Sequence, residues 1–230
     1  MAKISSGCYD LNKWLFGGYD KDIITVFYGA PGTGKTNFCL LVAVSQAKKG
    51  NKVIFVDTEG GFSVERVKQL TGENDGYEEI LKNIFLLKPT NFDEQREAFK
   101  KLLEYLKKEA SLIIIDGMTI LYRLDFAAAR EKDFNEIQKI NAELVRQMRT
   151  LAEIARKREI PVIVTNQVYK WDDENKMVGG DILSYWGKCL IELVNENGKR
   201  TAYLKKHRSL PEKNLDFQIT NDGIRKKGWI

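Results

Sequence analysis

The chain has one histidine and three cysteines among 230 residues, and these shortages exclude several kinds of chemistry. With His207 alone, neither a histidine-based triad nor a zinc site built on several imidazoles can form. Cys8, Cys39 and Cys189 are scattered and never spaced C-x-x-C, the pattern of reduced intracellular thiols rather than of a disulfide framework. No run of about eighteen apolar residues occurs, and the N-terminus lacks the apolar stretch of a secretory signal. A cytoplasmic setting is therefore expected. Linkers, internal repeats and low-complexity tracts are lacking too.

What is present suits one large α/β domain over residues 1–230. Hydrophobic residues make up 43% of the chain, enough for a core, and charged residues 30%, enough for a soluble surface. A net charge of +5 permits a nucleic-acid partner without requiring one.

The most specific stretch is "YGAPGTGKTNF", Tyr28 to Phe38. Its core, Gly29-Ala30-Pro31-Gly32-Thr33-Gly34-Lys35-Thr36, has the G-x-x-x-x-G-K-T spacing of a phosphate-binding loop. Glycines let the backbone curl so that successive N–H groups point inward, and the following helix presents its partly positive N-terminus. In this pattern Lys35 reaches the β- and γ-phosphates of a nucleotide and the Thr36 hydroxyl ligates Mg²⁺. The context agrees: "DIITVFYG" is an apolar, β-branched run, and "TNFCLLVAVSQAKKG" has helical spacing ending in Gly50.

Apolar runs and amphipathic segments then alternate. "NKVIFVDTEG", "NIFLLKP", "SLIIIDG" and "IPVIVTNQV" read as strands; "SVERVKQLTG", "DEQREAFKKLLEYLKKE" and a long stretch around Phe134 to Lys157 read as helices. This alternation predicts a mostly parallel sheet covered on both faces. Beyond Gly180 the pattern becomes antiparallel, with hairpins expected around Asn197-Gly198 and Asp222-Gly223.

Hydrolysis at such a loop needs a carboxylate for the metal and a group that orients water. Asp116 ends "LIIID" where a metal-site carboxylate belongs, or it caps the next segment. Glu59, in "VDTEGG", can accept a proton from water aligned on a γ-phosphate, whereas Asp57 is closer to the strand and reads as structural. Gln167, in "TNQV", fits two roles, a γ-phosphate sensor or an amide bonded only to backbone.

Together "GAPGTGKT", "FVDTEGGFSVERV" and "VIVTNQV" resemble the RecA/RadA recombinase family, and "ISSGCYDLNKWLFGGYDKDIITVFYG" is similar to the opening of its archaeal and eukaryotic ATPase cores. The resemblance runs from about Ile4 to the C-terminus and begins at the core, without a preceding helical domain. It implies a RecA-like ATPase fold, ATP and Mg²⁺ as ligands, and the catalytic set Glu59, Asp116 and Gln167, with Thr36 and Asp116 at the metal. It also implies that Arg66 stacks on adenine, a use suited to a planar cation, and that Pro211 covers the nucleotide of a neighbouring subunit. Lys206 and Arg208, a K-x-R pair in "KKHRS", resemble the fingers that reach the next subunit's γ-phosphate in KaiC-like and DnaB-like relatives. A solvated basic strand end is the other reading.

The resemblance further implies two DNA-binding loops. The first falls within "YRLDFAAAREKD", with Arg123, Arg130 and Lys132; the second falls within "YKWDDENKMVGGDILSYWG", with Lys170, Lys176, Tyr169 and Trp171. Basic groups interleaved with rings suit single strands. Asp172, Asp173 and Glu174 oppose phosphate approach, which favours salt-sensitive, sequence-independent binding over strand exchange. The Phe-x-x-Ala segment that links larger recombinases is not found before the core; "FAAA", Phe126 to Ala129, fits the letters but falls in the first DNA segment. The expectation is a dimer or short oligomer that binds single-stranded or branched DNA. The implied partners are the RadA recombinase and a Holliday-junction endonuclease.

Overall fold

A computed structural model describes residues 2–72, 76–108, 110–130, 134–171 and 174–228, with side chains at all of these except 108, 170, 171, 174 and 175. The chain opens with a small two-stranded ribbon, β1 (Lys3–Ile4) and β2 (Tyr19–Asp20), around α1 (Tyr9–Trp14). The strand β3 (Ile24–Gly29) then leads through the glycine-rich loop into α2 (Lys35–Ala47). Next come β4 (Lys52–Asp57), α3 (Val64–Thr71), α4 (Tyr77–Lys82), β5 (Ile84–Leu87) and α5 (Phe92–Tyr105). The second half holds β6 (Ala110–Asp116), α6 (Ile120–Arg130), α7 (Phe134–Arg158), β7 (Val162–Trp171), β8 (Glu174–Met177) and α8 (Gly180–Trp186). It closes with β9 (Gly187–Glu196), β10 (Lys199–His207), β11 (Lys213–Thr220) and β12 (Gly223–Lys226).

One large sheet runs β12-β11-β10-β9-β3-β7-β6-β4-β5. The strands from β9 to β5 pair in parallel, and β10, β11 and β12 continue the sheet antiparallel. The parallel strands are apolar at nearly every position because both faces are covered. Phe27, Phe55, Ile114 and Ile163 pack under α2 and the C-terminal strands, while Val26, Ile54, Ile113 and Val164 pack under α5, α6 and α7. All parallel strands therefore end at one edge, where ligands of open α/β sheets bind.

The expected α/β fold, with its parallel sheet and antiparallel C-terminal strands, is present. Three local expectations are corrected. The second C-terminal turn consists of Asn221 and Asp222, since Thr220 pairs with Gly223, so it lies one residue before the Asp222-Gly223 expected. Gly223 instead opens β12 at φ +139°, where a Cβ would lie 3.2 Å from Leu41 Cδ1. The first DNA segment is largely helical, since α6 takes up Ile120–Arg130; its Ala, Leu and Arg residues are good helix formers. The second is a β-ribbon, with Val168 opposite Met177 and Tyr169 opposite Lys176.

Candidate nucleotide and nucleic-acid sites

At the C-terminal end of β3, Gly29 stands beside Gln167 on β7. A Cβ at Gly29 would fall 2.2 Å from the Leu193 carbonyl, and Gly34, at φ +108°, has Ile219 Cδ1 2.9 Å from where its Cβ would be. The loop is thus wedged between the strand it leaves and the C-terminal strands. Only glycine combines that backbone conformation with that clearance. Above Gly32 lies open space. The first α2 amide with a carbonyl partner in its own turn is that of Asn37, bonded to Gly34 O at 2.9 Å; those of Lys35 and Thr36 belong to the helix start, where donors have no intrahelical acceptor.

Lys35 is buried, and its Nζ donates to the carbonyls of Gly29 at 2.9 Å and Ala30 at 3.1 Å. Burial lowers its pKa, opposed by the charges of Glu59 and Asp116. Its ammonium is held in the mouth of the loop, ready to exchange carbonyl dipoles for phosphate charge.

Asp116 is 1% exposed. Its Oδ1 accepts from Thr165 Oγ1 at 2.6 Å, and Thr165 Oγ1 in turn accepts from the Gly117 amide at 2.7 Å. Burial raises the Asp116 pKa to about 6, against the lowering effect of Thr165 and of the Thr36 hydroxyl beside it. Its Oδ2 is buried without a hydrogen bond. Such an orphaned acceptor is costly unless a ligand satisfies it. At Gly61 a Cβ would lie 3.1 Å from Thr36 Oγ1 and 3.6 Å from Asp116 Oδ2, so the absent side chain leaves a cradle between hydroxyl and carboxylate. That donor set fits Mg²⁺, which takes few protein ligands and keeps water and phosphate oxygens. Among the described residues no cluster of three or more His, Cys, Asp or Glu side chains forms a metal cage.

Asp57 accepts from the amides of Gly61 at 3.1 Å and Phe62 at 2.9 Å. It clamps the turn after β4, the structural role expected of it. The clamp exposes Glu59, whose Oε1 would lie 3.0 Å from a Cβ on Gly117, at φ +92°. Glu59 therefore reaches over the turn beside Asp116. Loop, Glu59, Asp116 and Gln167 share one edge of the sheet, and Arg66 on α3 flanks it through Asn37 of α2.

Lys206, Arg208 and Pro211 are not brought to this site. His207 pairs with Cys189, itself opposite Thr25 at the start of β3, so these residues occupy the other edge of the sheet. A bulge between Leu204 and Lys206 interrupts the alternation, and Arg208 lies just past the strand. Lys206 Nζ donates to Ser184 O at 2.8 Å and Gly187 O at 3.0 Å, while Arg208 forks onto Asp22 at 2.6 and 2.5 Å. Within one chain, both cations are engaged locally.

Arg123 and Arg130 are exposed on α6, and Lys176 is exposed on β8. Phe126 packs on Tyr122 at 5.7 Å and Ala129 is buried, so "FAAA" is part of α6 and its packing. Lys132, Asp172 and Asp173 lie outside the described residues, as do the side chains of Lys170, Trp171 and Glu174. Between α6, α7 and the β7–β8 ribbon runs an open groove of about 750 Å³, lined by Tyr122, Asn141, Tyr169 and Lys176. Both segments expected to meet DNA thus border one groove.

The Rad51 family model matches residues 1–227. The chain belongs to the Rad51 family, in its RadB branch. It is 41% identical to the DNA repair and recombination protein RadB of Methanobrevibacter smithii over 93% of this chain and 92% of that protein. It is 38% identical to the RadB of Methanocaldococcus jannaschii, over 93% of this chain and 98% of that one. The crystal structure of a RadB recombinase superposes with a TM-score of 0.80 at 35% identity, covering 97% of this chain and 99% of that one. The RecA/RadA resemblance is therefore upheld. Members of this family are typically ATP-binding proteins. Among the described residues no helix is long and apolar enough to cross a membrane.

Sequence reading missed Thr165 and Asn37. Thr165 precedes the quoted Gln167 by two positions, but its bond to Asp116 spans 49 residues and leaves no local signal.

Proposed function

We propose that this chain is an ATP- and DNA-binding protein of homologous recombination and repair that hydrolyses ATP slowly and assists RadA rather than exchanging strands itself. The observation that carries the nucleotide reading is the orphaned Asp116 Oδ2 beside Thr36 and the Gly61 cradle. Loop amides and Lys35 would hold the β- and γ-phosphates, and Glu59 would orient a water and take its proton. Bound Mg²⁺ would neutralise charge developing on the phosphate oxygens; Thr36 and Asp116 would hold it. Gln167, at the root of the β7–β8 ribbon, would couple the γ-phosphate to the groove. The names of the relatives support the recombination role, and Arg123, Arg130, Tyr169 and Lys176 support DNA contact. A Holliday-junction endonuclease as second partner and a cytoplasmic location belong to the same proposal.

Slow turnover follows if Lys206, Arg208 and Pro211 must reach a neighbour's nucleotide, because both cations must first leave partners in their own chain. The same engagement favours a second reading, an adaptor in which ATP stabilises the fold without useful turnover; ligand at a hundred times its Kd adds about 2.7 kcal/mol. The deciding experiment measures Mg-dependent ATP turnover with and without single-stranded DNA, beside a salt titration of DNA binding. Slow turnover with salt-sensitive binding supports the accessory role. Saturable ATP binding with no turnover above a Glu59→Gln blank supports the adaptor, and no DNA binding at low salt removes the recombination reading.

A further inference from the structure

Two features of the chain have no part in the function proposed above. The first is a cavity of about 270 Å³ at the N-terminal edge of the sheet, with an apolar lining of Ile23, Ile24, Ala152, Ala155 and Trp186. Its rim is basic: Arg156, Lys188 and Arg208 stand against one carboxylate, Asp22, which Arg208 already holds. Lys188 Nζ donates to the Tyr185 carbonyl at 2.9 Å, and neither Lys188 nor Arg156 has an ion-pair partner among the described residues. The cavity is smaller than the pockets that enclose drug-sized ligands and suits one large side chain.

The second feature is Trp171-Asp172-Asp173-Glu174, where β7 ends and β8 begins. Carboxylates there repel DNA phosphates, but an aromatic residue beside acids complements an apolar cavity with a basic rim. Gln167 is the last β7 residue paired with β3, opposite Gly29, so Val168 to Trp171 carry the ribbon about 13 Å past the edge of the sheet. The cavity lies at the other end, beside Ile24, which pairs with Val162. The strand from Val162 to Trp171 spans about 30 Å. The tip therefore cannot fill the cavity of its own chain.

We propose that the β7–β8 tip of a second copy of this chain docks in the cavity, with Trp171 in the apolar interior and Asp172, Asp173 and Glu174 facing Arg156 and Lys188. A contact between opposite edges is heterologous, so it builds rings or open chains rather than a two-fold dimer. It sets the Arg208 edge of one copy against the phosphate-loop edge of the next, and it competes with DNA for the ribbon. The contact needs neither nucleotide nor DNA, so it stands or falls separately from the function proposed above.

The test is sedimentation equilibrium of the full chain without ligands. It compares wild type, Arg156→Glu/Lys188→Glu, Asp172→Lys/Asp173→Lys, the fourfold variant that combines both pairs, and Trp171→Ala. Each charge-reversed pair, and Trp171→Ala, is expected to weaken self-association at least about tenfold. The fourfold variant, in which the charges are exchanged, is expected to recover it to within about threefold of wild type. Recovery also shows that the single pairs had folded. Wild type that stays monomeric at all concentrations, a cavity variant that associates normally, or a fourfold variant that does not recover overturns the contact. A cavity variant that keeps self-association but loses salt-dependent DNA binding assigns the cavity to nucleic acid and overturns it as well.

Discussion

The two edges of the parallel sheet handle charge in opposite ways. At the C-terminal edge, Asp116 keeps a buried oxygen without a hydrogen bond, and Lys35 holds only carbonyl dipoles. At the N-terminal edge, Arg208 forks onto Asp22, Lys206 takes two carbonyls, and Lys3 and His207 face Asp20. Charges that already have partners stabilise the fold or await a trigger, whereas a buried acceptor without one carries a free-energy penalty that a ligand can remove. The difference separates an edge that keeps a buried carboxylate oxygen without a hydrogen bond beside the loop from an edge whose cations are already engaged.

The contrast can be broken most forcefully at Glu59. Glu59→Gln is expected to lower Mg-ATP turnover by about 10²- to 10⁴-fold while ATP affinity stays within a factor of about two; single-turnover assays beside equilibrium binding check it, and equal loss of affinity would remove Glu59 from the chemistry. Lys35→Ala comes next, with affinity for Mg-ATP falling about a hundredfold, as expected for losing a charge-assisted contact.

Asp116 sharpens the comparison through pH. Its folded pKa, about 6, lies above the ordinary value of an aspartate, 3.8, so between those values the folded state binds more protons than the unfolded one. Stability of the nucleotide-free protein is therefore expected to fall as pH rises through that window, by up to about 3 kcal/mol from this group. Chemical denaturation at pH 4.5 and 7.5 checks the direction. Asp116→Asn should flatten this dependence and stabilise the unliganded protein at pH 7.5 while abolishing the Mg²⁺ requirement for tight ATP binding. An unchanged pH profile in the variant would mean that another group carries it.

The smallest effect is expected at the opposite edge. Arg208→Ala removes a partly exposed pair and should cost about 1 kcal/mol of stability with ATP affinity unchanged. If turnover of the wild type rises with protein concentration and Arg208→Ala abolishes that rise, the residue acts on a neighbour's nucleotide; if neither happens, its work ends at Asp22.

The reading of individual residues follows the same division. Gly29 to Thr36 was legible because eight consecutive positions carry the loop pattern, and the structural part played by Asp57 was legible because strand alternation and the glycines after it are local features. Arg66 was legible only through family resemblance, and its orientation was not legible at all, since the carbonyls that hold it lie 154 and 155 residues away. The two segments read as DNA-binding loops have a different form from the one expected. Pairing of Val168 with Met177 turned one into a ribbon, and packing of Tyr122, Phe126 and Ala129 kept the other helical.

By itself, the sequence determined the parallel core, the loop that can cradle phosphate and the absence of a multi-histidine mechanism, because periodicity, consecutive glycines and residue inventory act over short range or over none. Only the tertiary structure decided that Asp116 Oδ2 is buried without a hydrogen bond, which cations are already engaged and which carbonyls hold the edge of Arg66. Those properties depend on burial and on partners distant in the chain, and desolvation is a property of the packed molecule rather than of any segment.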